Sequence, residues 1–442
     1  MAIPVRFYWL SLKKYILVGI VFLTYFYASW FSSESPMIRK TFFSNYTFTY
    51  NANDTENIPS KSELQVIWMQ QKIQRLSRAS SKYEKFKLLA NRTTKPNRNV
   101  HVFYYASFRN REDDGEWRNW NTDSTLDFNL DFPTHEYNPP SDIASVYYPY
   151  LGCYSSRNTK IVSEHMRLIR NANIGVVVIS WCPSSEKNFP KDLFQTLLDS
   201  ALNHDLRVAL HFQECAKSKN ILQFVSQIRY IIKNFGSHSA LYRILHRRKH
   251  LPVFYVYDSD SNFPNRFGPI LQTKGNLSIR GTEYDGVFMG LLTNFEQLGA
   301  FKRNQFDGFY TYFGSNGLSY GSSWKNWQTL AKYARHYRLL FSPSVAPGFS
   351  DTSVKFWNSY QEKHRRNGRY YEVAWRAAIT TNPSTITVTS FNDWRGGTQI
   401  EPAVPQKSQL FTYRDYSPYD SYYYMNLTKY WITIFTDKLI KT

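Results

Sequence analysis

The chain is 442 residues long and carries a formal net charge of +20. Half of that excess lies before residue 101, where 15 lysines or arginines stand against 5 acids. The positive charge is therefore concentrated in the N-terminal segment, where it favours contact with anionic lipid headgroups or with glycoproteins. We expect no nucleic-acid partner. Aromatic residues reach 18%, which favours a groove for flat ligands, although packing aromatics in a large core are the alternative.

The N-terminal segment predicts a membrane anchor. Residues 15–31 are 17 uncharged, mainly apolar positions that follow Lys13 and Lys14. The length is short for a membrane-spanning helix, and the preceding basic residues favour a cytosolic N-terminus. We predict a cytoplasmic tail over 1–14 and a signal-anchor helix of type II orientation over 15–31. A cleaved signal peptide is the competing interpretation, although bulky Trp30 stands where cleavage needs a small residue.

The next segment, residues 32–96, predicts a luminal stem. Residues 32–60 are rich in Ser, Asn and Thr, and residues 61–90 carry apolar positions at the spacing of an amphipathic helix. Glycosylation sequons support exposure to the lumen of the secretory pathway. They lie at Asn45, Asn53, Asn91, Asn276 and Asn426.

Residues 97–442 predict an α/β domain, a (β/α)8 TIM-type barrel. Eight apolar, strand-like runs alternate with helical patterns, which is the count for a closed parallel barrel. A doubly wound open sheet is the alternative, but no glycine-rich dinucleotide turn follows the first run, and we predict no cofactor or metal. The strands are predicted at 100–105, 174–181, 206–212, 253–258, 286–291, 308–313, 339–345 and 385–391.

The carboxyl ends of these strands predict the ligand site, because parallel barrels build their active sites there. Amides and carboxylates can hydrogen-bond sugar hydroxyls, and aromatic faces can stack on a sugar ring. For each single residue, structural packing is the alternative. The predicted set is Tyr104 and Tyr105, Trp181, His211 and Gln213, Tyr257 and Asp258, Tyr310 and Tyr312, then Asn392, Asp393 and Trp394.

The three cysteines are too few for a disulfide scaffold, and no pair has the spacing of a zinc site. Cys182 and Cys215 fall at the tips of consecutive predicted strands. Neighbouring strands lie about 4.8 Å apart, within the reach of a disulfide. We hypothesise a bridge between them across the barrel mouth; two unpaired buried thiols are the alternative.

The stretch 390–401, SFNDWRGGTQIE, follows five β-branched residues and begins at a predicted strand end. An amide, a carboxylate and an indole stand together there at Asn392, Asp393 and Trp394. They suit a sugar site, whereas the alternative is a turn in which Asp393 only caps the next segment.

This block resembles the signature of glycoside hydrolase family ninety-nine, the endo-α-1,2-mannosidases. Other ordered blocks are similar to the same family and span residues 97–437. They are HVFYYASF from His101, YNPP up to Pro140, GCYSSR from Gly152, HMRLIRNANIGVVVISW from His165, PVFYVYDS from Pro252, FDGFYTYF from Phe306, SYGSSWKNW from Ser319, SVAPGFSDT from Ser344 and NGRYYE from Asn367.

The resemblance implies a Golgi glycosidase that releases glucosylated mannose units from high-mannose N-glycans with retention of configuration. One glutamate of the family acts as base on the sugar's own 2-hydroxyl, giving a 1,2-anhydro intermediate, and a second serves as acid. In this chain the base position holds Asp393 and the acid position holds Gly396. A third family glutamate is replaced by Gln213, and Glu214 is displaced by one residue.

The substitutions leave alternatives open. A catalytically impaired protein that binds glycans in the same cleft is one, and an enzyme with an altered linkage or leaving group is another. Glu401 and Asp258 coincide with acids that the family already has beside its catalytic pair, so we expect ligand contact rather than rescue from them. A loop carboxylate, Glu112, Asp113, Asp114 or Glu116, is the remaining source of an acid.

Overall fold

The computed structural model describes residues 69–71, 83–84, 86, 95–121, 137–181, 191–213, 221–258, 263–351, 362–408 and 412–441. The chain divides into two compact units, residues 1–79 and 80–442. Residues 69–71 of the first unit are helical. The predicted tail, anchor and most of the stem lie outside the described residues, as do Cys182, Cys215 and the sequons at Asn45, Asn53 and Asn91.

The second unit contains a parallel sheet wrapped by helices, and the parallel barrel prediction is confirmed. The strands are β1 Asn97–Tyr104, β2 Tyr148–Pro149, β3 Ile174–Trp181, β4 Arg207–Phe212, β5 Arg243–His246, β6 Lys249–Val256, β7 Val287–Leu291, β8 Gly308–Tyr310, β9 Leu340–Ser342, β10 Ser344–Val345, β11 Ile386–Val388 and β12 Ala403–Val404. The hydrogen-bonded order of the main sheet is β10-β11-β1-β3-β4-β6-β7-β8-β9.

The sheet closes on itself at Pro343. Strand β9 pairs with β8, strand β10 pairs with β11, and only Pro343 separates β9 from β10. Proline has no backbone N–H to donate, so the hydrogen-bond ladder is interrupted at that residue. The single run predicted at 339–345 is therefore two short strands that together join both edges of the sheet into a ring.

Helices cover the outside of the ring, because each parallel crossover returns along it. Their apolar faces pack on the outward strand residues and form one large hydrophobic core. The helices are α1 Arg111–Asp114, α2 Thr159–Asn171, α3 Lys191–Asn203, α4 Ile221–Phe235, α5 Phe263–Arg266, α6 Gly268–Leu271, α7 Gln297–Arg303, α8 Trp327–Tyr337, α9 Arg369–Thr380 and α10 Tyr423–Lys441.

Two antiparallel pairs stand apart from the ring. Strand β5 forms a hairpin with β6 through left-handed residues Arg247 and Arg248, and β12 pairs with β2. The second pair fixes the segment after 390–401 against the loop that follows β1. This contact anchors the chain directly after residues 390–401.

Residues upstream of β1 also belong to this unit. The hydroxyl of buried Tyr83 donates a hydrogen bond to Asp420 at 2.5 Å, and Phe86 packs on Tyr430 of α10. Helix α10 ends the described chain. In the part of the chain that the structure describes, no helix combines the length and apolar character needed to cross a membrane.

The two described sequons differ in their surroundings. Asn276 is exposed in a turn after α6. Asn426 is half-buried within α10, and the hydroxyl-bearing residue of its sequon, Thr428, is completely buried against Tyr371. Glycosylation at both positions remains a prediction.

Candidate active site

Side chains on the barrel strands alternate between the interior of the ring and the surrounding helices. On β1, Phe103 faces the interior, whereas the Tyr104 hydroxyl bonds His165 Nδ1 on α2 at 3.0 Å. The next residue, Tyr105, returns to the interior side, where its hydroxyl meets that of Tyr312. Alternation thus selects Tyr105 and not Tyr104 for the barrel mouth.

Five side chains from five strand ends converge at this mouth: Tyr105, Gln213, Tyr257, Tyr312 and Asp393, here called the cleft cluster. The two hydroxyls of Tyr105 and Tyr312 bond each other, and the rings of Tyr257 and Tyr312 lie 5.3 Å apart. The Gln213 side chain hydrogen-bonds the Tyr105 hydroxyl. All five residues are half-buried.

The cleft cluster is electrostatically coupled. Burial raises the pKa of the Tyr105 and Tyr312 hydroxyls far above the ordinary value, and the negative charge of Asp393 raises both further. Both phenols therefore stay protonated, and they can donate hydrogen bonds to a carboxylate or to a sugar oxygen.

The floor beneath the cluster is polar but uncharged. His211 Nε2 lies 2.8 Å from the Tyr310 hydroxyl, and the ring of Phe103 packs 4.7 Å from the imidazole. Complete burial lowers the pKa of His211 to about 3, so the imidazole is neutral at physiological pH. Its Nδ1 has no hydrogen-bond partner among the described residues.

Asp393 is folded back onto its own loop. Its backbone N–H donates to Ser390 Oγ at 2.8 Å, and the Gly396 N–H donates to Asp393 Oδ1 at 3.0 Å. Burial raises the pKa of the Asp393 carboxyl, and the nearby charge of Asp351 raises it too, against the opposing effect of Arg395. A raised pKa makes the ionised carboxylate a stronger base.

Gly396 leaves no room for a side chain in this conformation. A Cβ built there would lie 2.6 Å from Asp393 Oδ2. The Gly396 carbonyl accepts the Ser350 N–H at 3.0 Å, and Gly397, with φ of 58°, lies so close that an added Cβ would stand 2.7 Å from the Ser350 carbonyl oxygen. The glycine pair therefore brings Ser350 against the loop.

Asn392 connects this loop to the first strand. Its Oδ1 accepts the Tyr105 N–H at 2.8 Å, and its amide nitrogen donates to the Tyr105 carbonyl at 2.9 Å. Because Asn392 is completely buried and bonded twice to one backbone unit, it sets the position of Tyr105 in the cleft.

Glu401 lies in a buried network below the cleft. Its Oε2 accepts hydrogen bonds from the Tyr154 hydroxyl at 2.8 Å and from the Trp394 indole at 2.9 Å, and its Oε1 lies 3.1 Å from His165 Nε2. The carboxylate has no exposed surface. Its bonds fix the far half of the 390–401 loop from beneath.

Several predicted ligand residues do not join the cleft cluster. Trp181, predicted to face the ligand, lies on the outer side of β3: its indole donates to Gln227 Oε1 on α4 at 3.1 Å and packs on Phe194. Earlier on β3, Val178 faces the interior of the ring and Ile179 faces the helices. Trp181, two residues after Ile179, faces the helices as well. Asp258 forms an ion pair with Arg266.

Four others lie directly beneath the cluster as its support: Tyr104, Asn392, Trp394 and Glu401 are all buried and hydrogen-bonded. Their hydrogen bonds give them a positioning role, and direct contact with a ligand remains a prediction for them.

Two carboxylates of the acidic loop after β1 lie in ion pairs. Glu116 bonds Arg109 at 2.5 Å, and Asp114 lies 3.7 Å from Arg157. In the described ranges, no group of three or more His, Cys, Asp or Glu side chains has an arrangement that could hold a metal ion.

Sequence reasoning missed three residues of this region. Asp351 lies in the loop that follows β10, and Tyr154 and His165 lie on different elements that only the fold joins to Glu401. All three residues occur in family-like blocks, at Ser344, Gly152 and His165, which was the available signal.

A parallel β/α barrel with aromatic, amide and carboxylate side chains at its carboxyl face is the architecture of barrel glycosidases. Residues 95–437 match the model of Glycosyl hydrolase family 99, and the chain belongs to that family.

Known relatives agree with that membership. The chain is 40% identical to a glycoprotein endo-α-1,2-mannosidase of Xenopus laevis over 345 residues, which cover 76% of this chain and 77% of the relative. It is 39% identical to a glycoprotein endo-α-1,2-mannosidase-like protein of Homo sapiens, covering 75% and 74%. The solved GH99 endo-α-mannosidase of Bacteroides thetaiotaomicron superposes with a TM-score of 0.72 at 34% identity, covering 77% of this chain and 98% of that one.

Proposed function

We propose that the protein is a retaining endo-α-1,2-mannosidase that acts slowly on glucosylated high-mannose N-glycans and releases a glucosyl-mannose unit. The observation that carries this proposal is Asp393, a half-buried carboxylate of raised pKa within an aromatic and amide cluster on a family 99 barrel. The names of the similar mannosidases support the linkage and the substrate class.

In the proposed first step, Asp393 takes the proton from the 2-hydroxyl of the mannose in the cleft. O2 attacks C1 and the bond from C1 to the glycosidic oxygen breaks, giving a 1,2-anhydro sugar. The departing oxygen takes a proton from water, because Gly396 supplies none. The hydroxide left by that proton transfer then opens the anhydro sugar at C1, and Asp393 returns its proton to O2, so configuration at C1 is retained.

Two features set the rate below that of a relative with both glutamates. An aspartate is one methylene shorter than a glutamate, and misplacement by about 1 Å costs on the order of 10²-fold. The missing general acid costs a further factor of about 10² to 10⁴ for an alcohol leaving group.

We further propose a single-pass, type II orientation in the Golgi membrane, with the barrel in the lumen. The apolar run at 15–31 behind Lys13 and Lys14 supports it, together with the sequon at exposed Asn276. In intact microsomes we expect the barrel to be protected from added protease. We also expect its apparent mass to fall when a glycosidase removes N-glycans. Digestion of the barrel in intact vesicles would contradict it.

A second function, glycan binding without turnover, is favoured by one observation. The Asp393 carboxylate accepts the Gly396 N–H and occupies the space of a side chain at 396. In that state the Asp393 carboxylate holds the loop together, so the shape of the loop does not require an acidic side chain at position 396.

Incubation of the full-length chain with a glucosylated high-mannose glycan and with an activated aryl glycoside separates the two. The enzyme proposal predicts release of the disaccharide from the glycan and faster turnover of the aryl glycoside, whose leaving group needs no acid. Binding of both with turnover of neither would assign the protein to the second function.

A further inference from the structure

A cavity separate from the cleft lies behind residues 390–401, here called the functional loop. It has a volume of about 400 Å³ and its walls come from residues 349–350, 363–367 and 414–417, together with Tyr147, Gly397 and Tyr424. We call it the basic cavity. Gly397 separates it from the cleft, since the preceding residue, Gly396, faces Asp393.

The basic cavity is strongly cationic. Four of its lining side chains are positive, those of Lys363, Arg365, Arg366 and Arg414, against one lining carboxylate, Asp415. Arg414 is already paired with the Glu362 carboxylate, which leaves three cations to set the charge of the cavity. Asp415 is engaged locally, because its Oδ1 accepts the Ser417 N–H at 2.8 Å. The cavity therefore presents an excess of positive charge to whatever enters it.

Arg365 forms the buried end of this cavity. Only 6% of the residue is exposed, and its guanidinium carbon lies 4.4 Å from the ring centre of Tyr147 and 4.5 Å from that of Tyr424. One nitrogen, Nη2, donates to the carbonyls of Gly397 and Gln399 at 3.0 and 2.8 Å. The guanidinium thus holds the backbone of the functional loop.

The remaining donors of Arg365 are not satisfied. Its Nε and Nη1 are buried and reach no acceptor with hydrogen-bond geometry among the described residues, although the Tyr424 hydroxyl interacts with the group. A buried guanidinium without a carboxylate partner is unfavourable, and the aromatic rings offset only part of the loss of hydration. An anion in the adjoining cavity would lie beside this positive charge and offset it.

The rim of the cavity is held in an uncommon backbone shape. Arg366 and Asn367 have φ angles of 49° and 51°, in the left-handed region that non-glycine residues adopt only when neighbouring structure holds them there. Gly368 follows with φ of 85° and precedes α9, whose N-terminal end favours negative charge. The strained turn places the exposed Arg366 and Asn367 side chains on the cavity wall.

We propose that the basic cavity binds the oxyanion of a phosphate or sulfate ester carried on a sugar, with Arg365 at its base and Lys363 and Arg366 at its rim. Guanidinium groups bind such oxyanions through paired hydrogen bonds. A volume of about 400 Å³ exceeds the need of a free phosphate and falls within the range of small-molecule sites. The site would accept an acidic branch of a glycan beside the cleft.

Binding of mannose 6-phosphate, inorganic phosphate and mannose to the full-length chain, measured by calorimetry, tests this. Mannose 6-phosphate is expected to bind at least about tenfold tighter than mannose, and raising salt from about 0.05 to 0.5 M weakens it by screening. The double variant Lys363→Gln/Arg366→Gln is expected to lose about tenfold in affinity. Lys332→Gln, an exposed charge on α8, serves as the matched control with unchanged affinity.

The two sources of the anion give different results. A sugar-borne ester is indicated if mannose 6-phosphate binds more tightly than inorganic phosphate, and free phosphate if the two bind equally. Equal affinity for mannose and mannose 6-phosphate, or full affinity in the folded double variant, would overturn the proposal. The measurement does not depend on turnover, so it stands or fails separately from the proposed mannosidase activity.

Discussion

The two halves of the 390–401 loop carry one carboxylate each, and the two acids have opposite surroundings. Asp393 is half-buried, opens onto the cleft and has a raised pKa. Glu401 has no exposed surface and accepts hydrogen bonds from Tyr154 and Trp394, with His165 beside its second oxygen. The carboxylate of the first half faces the cleft, whereas the carboxylate of the second half holds the loop through buried hydrogen bonds.

This difference explains which residues depart from the family pattern. The resemblance places Asp393 and Gly396, both in the cleft half, where glutamates are expected, while Glu401 matches the pattern. Replacing Glu401 would remove the acceptor of the Tyr154 hydroxyl, one of two acceptors of the Trp394 indole and the partner of His165 Nε2. All three groups are buried, and such losses destabilise a fold strongly. A change in the cleft half alters chemistry and leaves the scaffold intact.

The largest expected effect is on turnover. Asp393→Asn removes the proposed base, and kcat should fall about 10³-fold while glycan affinity stays within about threefold. Steady-state kinetics with the aryl glycoside provide the measurement. Asp192→Asn, an exposed acid at the start of α3, is the control. An Asp393→Asn variant with the wild-type rate would remove Asp393 from the mechanism.

Glu401→Gln should act on stability. The amide nitrogen of Gln cannot accept the hydrogen bonds that the second carboxylate oxygen accepts, so the free energy of unfolding should fall by about 3 kcal/mol. Urea denaturation followed by tryptophan fluorescence measures it. If Glu401→Gln instead unfolded like the wild type and lost only activity, the division between the two halves of the loop would be wrong.

Restoring the family pattern should raise activity. Asp393→Glu/Gly396→Glu supplies both glutamates, and turnover of the natural glycan should rise about 10²-fold or more. Gly396→Glu alone should gain less, because its Cβ meets Asp393 Oδ2 at 2.6 Å in the present conformation. Disaccharide release from the glycan is the assay. No gain in the double variant would indicate that changes at other positions of the cleft also abolish activity.

A smaller effect tests the placement of Trp181 outside the cleft. Trp181→Phe keeps the contact with Phe194 but loses the hydrogen bond to Gln227, so unfolding free energy should drop by about 1 kcal/mol. Glycan affinity should not change. A tenfold weaker affinity with unchanged stability would return Trp181 to the ligand site.

The last prediction concerns pH dependence. A raised pKa means that the folded protein binds the proton of Asp393 more tightly than the unfolded chain does, so ionisation of Asp393 destabilises the fold. Asp393→Asn should therefore be more stable than the wild type above the raised pKa and should lose that advantage below the ordinary carboxyl range. Thermal unfolding from pH 3 to 8 measures this. If Asp393→Asn were instead less stable than the wild type at neutral pH, as we predict for Glu401→Gln, the prediction would be contradicted.

The barrel was predictable because its strands are continuous apolar runs between helical patterns. The run at 174–181 has the bounds of β3, and the others agree within a few residues. The last strand is shorter than predicted, since β11 ends at Val388 and the chain then turns into the loop. Proline 343, visible in the sequence, marks the break that divides the seventh run.

The orientation of strand-end side chains was less predictable. A strand buried on both faces shows no alternation of apolar and polar residues, so Tyr104 and Tyr105, or Trp181 and its neighbours, could not be separated by pattern. Asp351 was missed because its approach to Asp393 depends on the glycine pair and on the fold of a distant loop. Gly396 was singled out from the family resemblance as the position where the acid is expected, and this assignment stays a prediction.

The most direct test of the central claim is the ratio of kcat/KM for an activated aryl glycoside to that for the glucosylated high-mannose glycan, measured with the wild-type full-length chain. A site with Asp393 as base and no acid at Gly396 predicts a ratio of at least about 10², which the Asp393→Glu/Gly396→Glu variant should reduce. Rapid cleavage of the natural glycan, with a ratio near one in the wild type, would contradict the account.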